Sequence, residues 1–319
     1  MKNRLFNLAK IAITLGLIAY IFTKVDIAQV RQNLATANYA LVALALVFYL
    51  LAIIMNSIKW QVLLRAIDVY VPSAAVLRFM FVGFFFNNVL PANIGGDVMR
   101  GYGLARYTDR TAEAAVSVLV DRLVGLLAYM SAAAVTAIVV VRSMHHEELQ
   151  WLFNVALMAL AVIAVALAIM FSRRLRLLLG RLFEIGPLRR LQPLYTGVSD
   201  ALDAYRFRYR SLLLAFAWGL AGLMAANIVN WLLFQATGGG VPFVDVMLFN
   251  PLIALALLIP ISVGGHGVIQ NAYPELYGLL GVPQTQATAV SFLMSLVIIL
   301  GSLPGGLLWL RGRNTNRKK

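Results

Sequence analysis

Residues 90–97 read LPANIGGD and residues 259–266 read IPISVGGH, so one helix-breaking pattern occurs twice in a very apolar chain. In each copy a proline precedes a pair of glycines and a polar side chain. Proline removes a backbone hydrogen-bond donor, and glycine permits positive φ angles and close backbone approach. A helix that begins after the glycines would direct its free N–H groups and positive dipole end toward an anion. The chemistry indicated is the binding of an anionic group such as a lipid phosphate.

Polar residues and the glycine pairs cluster around each copy of the pattern. The first cluster consists of Asn87, Asn88, Asn93, Gly95, Gly96, Asp97 and Arg100, and the second consists of Ser262, Gly264, Gly265, His266 and Gln270. Taken together, the two clusters predict a polar cavity that binds substrate. For any single residue the alternative is structural, because Asn and Ser side chains cap broken helices and Asp97 is placed to cap the next one.

Asp121 and Arg122 lie within the apolar stretch VSVLVDRLVGLLAYM. Charged side chains at such depth are costly and usually face the protein interior or an aqueous cavity. Arg122, together with Arg100, is therefore predicted to contact the phosphate or headgroup of the substrate, and Asp121, together with Asp97, is predicted to orient the arginines. The alternative is that Arg122 extends to the cytoplasmic interface with Asp121 as its local partner. Asn227 and Asn230, three residues apart on one helical face, are expected to form hydrogen bonds between helices; the alternative is that they line the same cavity.

The composition predicts an integral membrane protein. The chain has 61% apolar and 13% charged residues, whereas soluble domains carry about 25% charged residues. Its net charge of +14 is distributed over short stretches between apolar runs, a pattern that argues against nucleic-acid binding. Cysteine is absent, which excludes disulfides and thiolate metal sites.

A transmembrane helix needs about 20 mainly apolar residues. The segments that satisfy this requirement are 5–23, 39–58, 113–141, 151–171, 211–235 and 285–310. Two further apolar segments, 77–97 and 243–281, are interrupted by the repeated pattern. The predicted fold class is therefore an all-α integral membrane protein, a polytopic helical bundle with six full spans and two broken or re-entrant helical elements.

The distribution of lysine and arginine predicts the orientation, because basic residues are concentrated in cytoplasmic loops. Apart from Arg122 within a span, only Lys24, Arg31 and Arg142 fall on the side opposite the N-terminus. Both termini are therefore expected in the cytoplasm. On this topology the first broken element enters from the cytoplasm, and the second enters from outside, as a re-entrant hairpin or as two short full spans.

The two halves of the chain have the same order of spans and broken element, but with opposite orientations in the membrane. Residues 1–141 comprise three spans and the cytoplasmic-side hairpin 77–97, and residues 142–319 comprise three spans, the outer-side hairpin 243–281 and an amphipathic insert, 172–210. This arrangement predicts an inverted repeat, which is common among transporters. The alternative is that the pattern arose twice by chance in a glycine-rich chain.

Catalytic motifs are not recognisable in the sequence. We find no Walker loop, no G-x-S-x-G element and no H-E-x-x-H pair. We therefore expect no catalytic residues, no metal and no cofactor, and we expect that the chain is not an enzyme.

The stretch LPANIGGDVMRGYGLARYTDRTAEAAVSVLVDRLVGLLAY resembles the signature of the lysylphosphatidylglycerol synthase transmembrane family. The matching residues are Pro91, Gly95, Gly96, Asp97, Arg100, Tyr102, Ser117, Val118, Leu119, Asp121, Arg122, Leu123 and Gly125. In the second half, Pro260, Gly264, Gly265, Gly267 and Val268 also match. The Arg and Glu that follow in the family are replaced here by Ile269 and Gln270.

The resemblance implies a lipid flippase domain in the bacterial cytoplasmic (inner) membrane. Its substrate would be a phosphate-bearing lipid, such as an aminoacylated phospholipid or a polyprenyl-linked envelope precursor. The expected partners are membrane lipids with an anionic or phosphate-bearing headgroup, with a second copy of the chain or an envelope-synthesis enzyme as a further possibility. Two alternatives stay open: a non-transporting partner of an envelope-lipid synthesis complex, and an intramembrane enzyme that acts on a lipid phosphate.

Overall fold

The long apolar runs form helices in the computed structural model, which describes residues 25–89, 95–144, 172–182, 192–257 and 267–315, with isolated positions between 20 and 23, between 154 and 168, and at 189. Within these residues there are eleven helices and no strand. They are α1 (Ile27–Ala35), α2 (Tyr39–Ala66), α3 (Ser73–Val89), α4 (Gly95–Thr108), α5 (Thr111–Met144), α6 (Arg173–Leu182), α7 (Gln192–Asp203), α8 (Tyr209–Ala236), α9 (Phe243–Ala256), α10 (Val268–Gly278) and α11 (Gln284–Thr315). The all-α prediction is confirmed.

Four of these helices are long and apolar enough to cross a membrane. The qualifying stretches are Tyr39–Ala66, Thr111–Thr136, Tyr209–Ala236 and Gln284–Arg311. They contain most or all of four predicted spans, and the chain is a multi-pass membrane protein. The predicted spans 5–23 and 151–171 lie outside the described residues apart from isolated positions, so the number of six spans stays a prediction.

Helix α2 extends further than its hydropathy predicts. The span was expected to end at residue 58 because Lys59 interrupts the apolar run, but the helix continues to Ala66. Trp60, Leu63 and Leu64 are fully buried, so the i, i+3, i+4 pattern of a buried helix face persists beyond the lysine. Lys59 therefore lies within a helix and not in a cytoplasmic loop.

The first broken element consists of α3 and α4, and residues 90–94 between them, including Pro91 and Asn93, lie outside the described residues. A helix was expected to begin after the glycine pair, but α4 begins at Gly95 itself. A Cβ atom on Gly96 would lie 2.1 Å from the carbonyl oxygen of Gly83 in α3. The reason for glycine at this position is therefore close backbone approach rather than a positive φ angle.

The second broken element consists of α9 and α10, and residues 258–266 lie outside the described residues. Helix α9 has 14 residues and α10 has 11, which correspond to lengths of about 21 Å and 16 Å. Each described helix is thus shorter than the hydrocarbon core, which is about 30 Å thick. Helix α10 begins after the predicted glycine pair, and Gly267 precedes it with a φ of 87°, a conformation that favours glycine.

The chain divides into two compact units. Unit 1 comprises Met1–Ile53, Arg78–Met99 and Gly222–Lys319, and unit 2 comprises Ile54–Leu77 and Arg100–Ala221. Each unit draws on stretches that are distant in sequence. The division into inverted repeats 1–141 and 142–319 stays a prediction.

In unit 1, glycines of α11 allow close packing against neighbouring helices. A Cβ atom on Gly305 would lie 2.0 Å from the carbonyl oxygen of Phe81, and a Cβ on Gly301 would lie 2.4 Å from the Tyr49 ring. Small residues four apart on one face bring helix backbones together in membrane proteins. At Gly305 the backbone of α11 therefore lies directly against the backbone of α3.

In unit 2, the insert forms the helices α6 and α7, which are joined by a buried arginine. Arg176 donates to Ser199 Oγ at 3.2 Å and forms an ion pair with Asp203. The side chains of Arg174 and Leu178 are exposed. Helix α6 thus exposes both charged and apolar side chains, and the amphipathic character of 172–210 as a whole stays a prediction.

We predict that Gly305→Ala lowers the stability of the folded protein by about 1–3 kcal/mol, because the added methyl group overlaps a backbone carbonyl that cannot rotate away. Thermal unfolding of the detergent-purified protein, followed by tryptophan fluorescence, measures the effect. The matched control is Gly278→Ala in α10, where a Cβ atom has no neighbour within 4 Å. Equal unfolding temperatures for the two variants would contradict the packing argument.

Candidate functional site

Three ionisable side chains of unit 2 form a buried cluster in and beside the membrane-spanning helices. Lys59 Nζ lies 3.1 Å from Asp121 Oδ1, and Arg100 Nη1 lies 2.8 Å from Asp121 Oδ2. The lysine comes from α2, the arginine from α4 and the aspartate from α5. Their side chains are only 6%, 4% and 5% exposed. One carboxylate thus bridges two cations through its two oxygens.

The indole ring of Trp60 packs beside this cluster. Its indole N–H donates to Ser117 Oγ at 3.2 Å, and Ser117 Oγ in turn donates to the Ala114 carbonyl at 2.9 Å. The guanidinium carbon of Arg100 lies 4.9 Å from the centroid of the Trp60 ring, within the range of a cation–π interaction. The hydrogen bond fixes the ring, and the ring positions the arginine.

Two glycines leave the space that Lys59 occupies. A Cβ atom on Gly125 would lie 3.1 Å from Lys59 Nζ, and one on Gly219 would lie 3.6 Å from Lys59 Cδ and 3.3 Å from Ala128 Cβ. Larger residues at these positions would displace the lysine. The sequence therefore provides room on α5 and α8 for a long cationic side chain between helices.

Tyr205 fixes the end of α2 that carries the lysine. The tyrosine is fully buried, and its hydroxyl donates to the Leu63 carbonyl at 3.1 Å. Burial, assisted by the negative charge of Asp121, raises the pKa of the Tyr205 hydroxyl well above its usual value. The hydroxyl therefore stays protonated and remains a hydrogen-bond donor at physiological pH.

The cluster carries one net positive charge, because two cations share one carboxylate. Buried charges in a low-dielectric interior are costly unless they are paired. Arginine presents a planar fork of donors that suits the oxygens of a phosphate or carboxylate, and lysine adds a compact point charge. The arrangement is thus suited to an anionic oxygen group.

The predicted site residues Arg100 and Asp121 are brought together in this cluster. Arg122 follows Asp121 in sequence and is half-buried. Adjacent residues do not share a helix face, and the ion pairs of Asp121 are formed with side chains of other helices. A substrate contact by Arg122 stays a prediction.

Asn87 and Asn88 of the first polar cluster, in unit 1, form hydrogen bonds within the protein. Asn87 Oδ1 accepts from the Gly96 N–H at 2.8 Å, and Asn88 Nδ2 donates to Ser302 Oγ at 2.8 Å. Asp97 lies in the first turn of α4, where a carboxylate stabilises the helix dipole. These contacts favour the structural interpretation, since one of the N–H groups expected to face an anion is bound by an amide.

Gln270 is the member of the second cluster that lies within the described residues. Its Oε1 accepts from the Gly267 N–H at 2.5 Å, and its Nε2 donates to Ser295 Oγ at 2.9 Å. In the first contact the side chain of the third helical residue accepts from the N–H of the residue that precedes the helix, as in a capping box. The other predicted members, which are Ser262, Gly264, Gly265 and His266, lie outside the described residues.

Asn227 and Asn230 form the expected bonds between helices of unit 1. Asn250 Nδ2 donates to Asn227 Oδ1 at 2.6 Å, and the Tyr273 hydroxyl donates to Asn230 Oδ1. Helix α8 is thus joined to α9 and to α10 by neutral polar pairs. These residues are explained by packing, as predicted.

Lys59 is the site residue that sequence reasoning missed. It was counted among cytoplasmic loop residues because it follows the apolar run 39–58. The signal that identifies it is the stretch KWQVLL, in which Trp60, Leu63 and Leu64 continue the buried face of a helix. A lysine preceded and followed by such a pattern lies within the helix and not beyond it.

Comparisons with known proteins agree with the resemblance. A family model described as the lysylphosphatidylglycerol synthase TM region matches residues 7–305. A UPF0104 membrane protein of Pyrococcus horikoshii is 21% identical over 300 residues, which cover 87% of this chain and 88% of the relative. A UPF0104 membrane protein of Methanothermobacter thermautotrophicus is 23% identical over 276 residues, which cover 81% of this chain and 80% of the relative.

We predict that Asp121→Ala destabilises the protein by about 3–5 kcal/mol, because it leaves two buried cations without their shared counter-ion. Chemical or thermal unfolding of the purified protein in detergent measures the loss. The control is Glu275→Ala, which removes an exposed carboxylate and should change stability by less than about 0.5 kcal/mol. Similar effects for the two substitutions would show that the cluster is not held together by Asp121.

Proposed function

The chain belongs to the family of the lysylphosphatidylglycerol synthase transmembrane region, and on this basis we propose that it moves a phosphate-bearing lipid between the two leaflets of a membrane. The observation that carries the proposal is the buried cluster of Lys59, Arg100 and Asp121, in which cations outnumber the acid. Ionisable residues within transmembrane segments commonly mark substrate pathways. The candidate substrates are aminoacylated phospholipids and polyprenyl-linked envelope precursors.

In this proposal Lys59 and Arg100 contact the phosphate, and Asp121 orients both cations. The protein supplies a path for the headgroup and carries out no covalent chemistry, so it is not an enzyme. We place it in the cytoplasmic membrane with both termini inside. Membrane lipids with phosphate headgroups are its partners.

We expect the purified protein to accelerate the transbilayer movement of fluorescent phosphatidylglycerol in phosphatidylcholine vesicles, and we expect Lys59→Gln or Arg100→Gln to slow it. Each removes a charge-assisted hydrogen bond worth about 1.5–3 kcal/mol, which corresponds to a rate reduction of roughly tenfold to a hundredfold. Loss of the outer-leaflet label on addition of a membrane-impermeant reductant reports the movement.

The matched control for these two variants is Arg65→Gln, because Arg65 is an exposed cation in the last turn of α2. It should leave the rate unchanged. No acceleration by the wild-type protein with any phosphate-bearing lipid would reject the proposed function.

A second candidate is a non-transporting membrane partner of lipid-synthesis enzymes. The observation in its favour is the low exposure of the three clustered side chains, which is also typical of a structural ion cluster. In that case Lys59→Gln and Arg100→Gln would lower the unfolding temperature, and neither they nor the wild-type protein would affect lipid movement.

The proposed orientation predicts opposite accessibility of the two broken elements. Because the chain has no cysteine, single cysteines placed at Asn93 and at Ser262 can be labelled selectively with membrane-impermeant thiol reagents. The cysteine at Asn93 should react from the cytoplasmic side and the one at Ser262 from the outside. Reaction of both from one side would contradict the inverted arrangement.

A further inference from the structure

Three buried, oxygen-bearing side chains of unit 1 come from three helices and lie at the same end of those helices. Asp245 is in the first turn of α9, Tyr277 is in the last turn of α10, and Thr288 is the fifth residue of α11. We infer that these side chains bind one small monovalent cation, Na⁺. Such binding does not depend on the proposed function and can be measured without any lipid movement.

Two of the three side chains have hydroxyl groups that are buried without a partner. Tyr277 and Thr288 are 0% exposed, and Asp245 is 5% exposed. Within the residues that the structure describes, the Tyr277 hydroxyl and Thr288 Oγ1 have no hydrogen-bond partner. Buried polar groups of this kind are rare in folded proteins, and a bound water or ion is a usual explanation.

Aromatic contacts place the Tyr277 side chain against both α8 and α9. Its ring centroid lies 4.5 Å from that of Phe234 in α8 and 5.3 Å from that of Phe249 in α9. Asp245 is four residues before Phe249, and residues four apart lie on the same helix face. The negative charge of Asp245 accordingly acts on the Tyr277 hydroxyl. The carboxylate and this hydroxyl are therefore neighbours.

Thr288 lies at the same level, as the pairing of α10 with α11 shows. The two helices are joined by residues 279–283 alone, a connection of the length that links antiparallel helices. Gln270 Nε2 donates to Ser295 Oγ at 2.9 Å. Seven residues are about two helical turns, so two turns from this contact along each antiparallel helix bring Tyr277 opposite Thr288.

The start of α11 is also held beside the segment that leads into α9. Gln286 Nε2 donates to the carbonyl of Gly239 at 2.8 Å, and Gly239 belongs to the connection between α8 and α9. Asp245 and Thr288 therefore approach each other from the same end of unit 1. Both lie within two turns of the helix ends, which gives an ion a short path to the site.

One carboxylate and two hydroxyl groups suit a hard, singly charged cation, which prefers oxygen ligands. A single carboxylate balances a single positive charge, whereas Ca²⁺ sites combine several carboxylates, and no group of three acidic or histidine side chains occurs in the described part of the chain. The N-terminus of α9 stabilises the ionised form of Asp245. No metal was expected from the sequence, because one acid and two hydroxyls from separate helices form no recognisable motif.

The first test uses the detergent-purified full chain in a sodium-free choline chloride buffer, to which NaCl is added at constant ionic strength. We expect NaCl to raise the unfolding temperature in a saturable manner, because a ligand that binds the folded state stabilises it. Binding of radioactive Na⁺ should saturate at one ion per chain, and KCl should give a smaller shift than NaCl. Absence of a shift, or a shift with KCl that equals or exceeds that with NaCl, overturns the inference.

Tyr277→Phe distinguishes a cation ligand from a structural hydroxyl. In sodium-free buffer it should not lower the unfolding temperature, because it removes a buried hydroxyl without a partner. In NaCl it should be less stable than the wild type, because its affinity for Na⁺ falls about three- to tenfold. The matched control is Tyr273→Phe, which removes a hydroxyl that donates to Asn230 Oδ1 and should lower the unfolding temperature equally in both buffers. If Tyr277→Phe behaves like this control, the inference is overturned.

Asp245→Asn removes the charge but keeps the shape of the side chain. It should weaken Na⁺ binding by about tenfold to a hundredfold, since the loss is that of a charged ligand. The control is Glu275→Gln, which neutralises an exposed carboxylate of α10 and should leave Na⁺ binding unchanged. Wild-type Na⁺ affinity in Asp245→Asn overturns the inference. If Asp245→Asn does not fold, the wild-type titration and the Tyr277→Phe comparison decide the question.

Discussion

Two cations share one carboxylate in the membrane-spanning part of unit 2, and the surrounding structure serves to keep that arrangement buried and paired. The glycines at 125 and 219 leave space for Lys59. Trp60, fixed by Ser117, positions Arg100. Well-packed apolar residues of similar volume are often as stabilising as a buried ion cluster, or more so. Stability alone therefore does not account for a buried ion cluster with space and supports built around it.

In unit 1, by contrast, neutral polar groups join the helices. Its interhelical contacts pair amides with amides or hydroxyls, as in Asn250 with Asn227 and Gln270 with Ser295. Such bonds specify which helix faces meet without placing a charge in the low-dielectric region. The close approach at Gly305 adds a steric constraint of the same kind. These contacts specify the packing of α8 to α11.

The elements that follow from local patterns could be predicted from the sequence. Hydropathy identified the helices around 39–58, 113–141, 211–235 and 285–310, and the spacing of Asn227 and Asn230 indicated bonds between helices. The partners could not be predicted, since Lys59 and Asp121 are far apart in sequence and meet only through tertiary packing. Lys59 was also misplaced because hydropathy treats any lysine as the end of a span. The asparagines beside the first glycine pair were assigned to a cavity, whereas the contacts of Asn87 and Asn88 lie within the protein.

The close approach at Gly96 affects how genetic data on such a chain should be interpreted. Any side chain there, even a methyl group, meets the carbonyl oxygen of Gly83 and the amide of Asn87, so a saturation scan would show this position as intolerant of every replacement. That signature is usually associated with a ligand contact, yet here steric exclusion alone accounts for it. Intolerance at Lys59, Arg100 or Asp121 would have a different pattern, in which charge, and not size, decides which replacements survive.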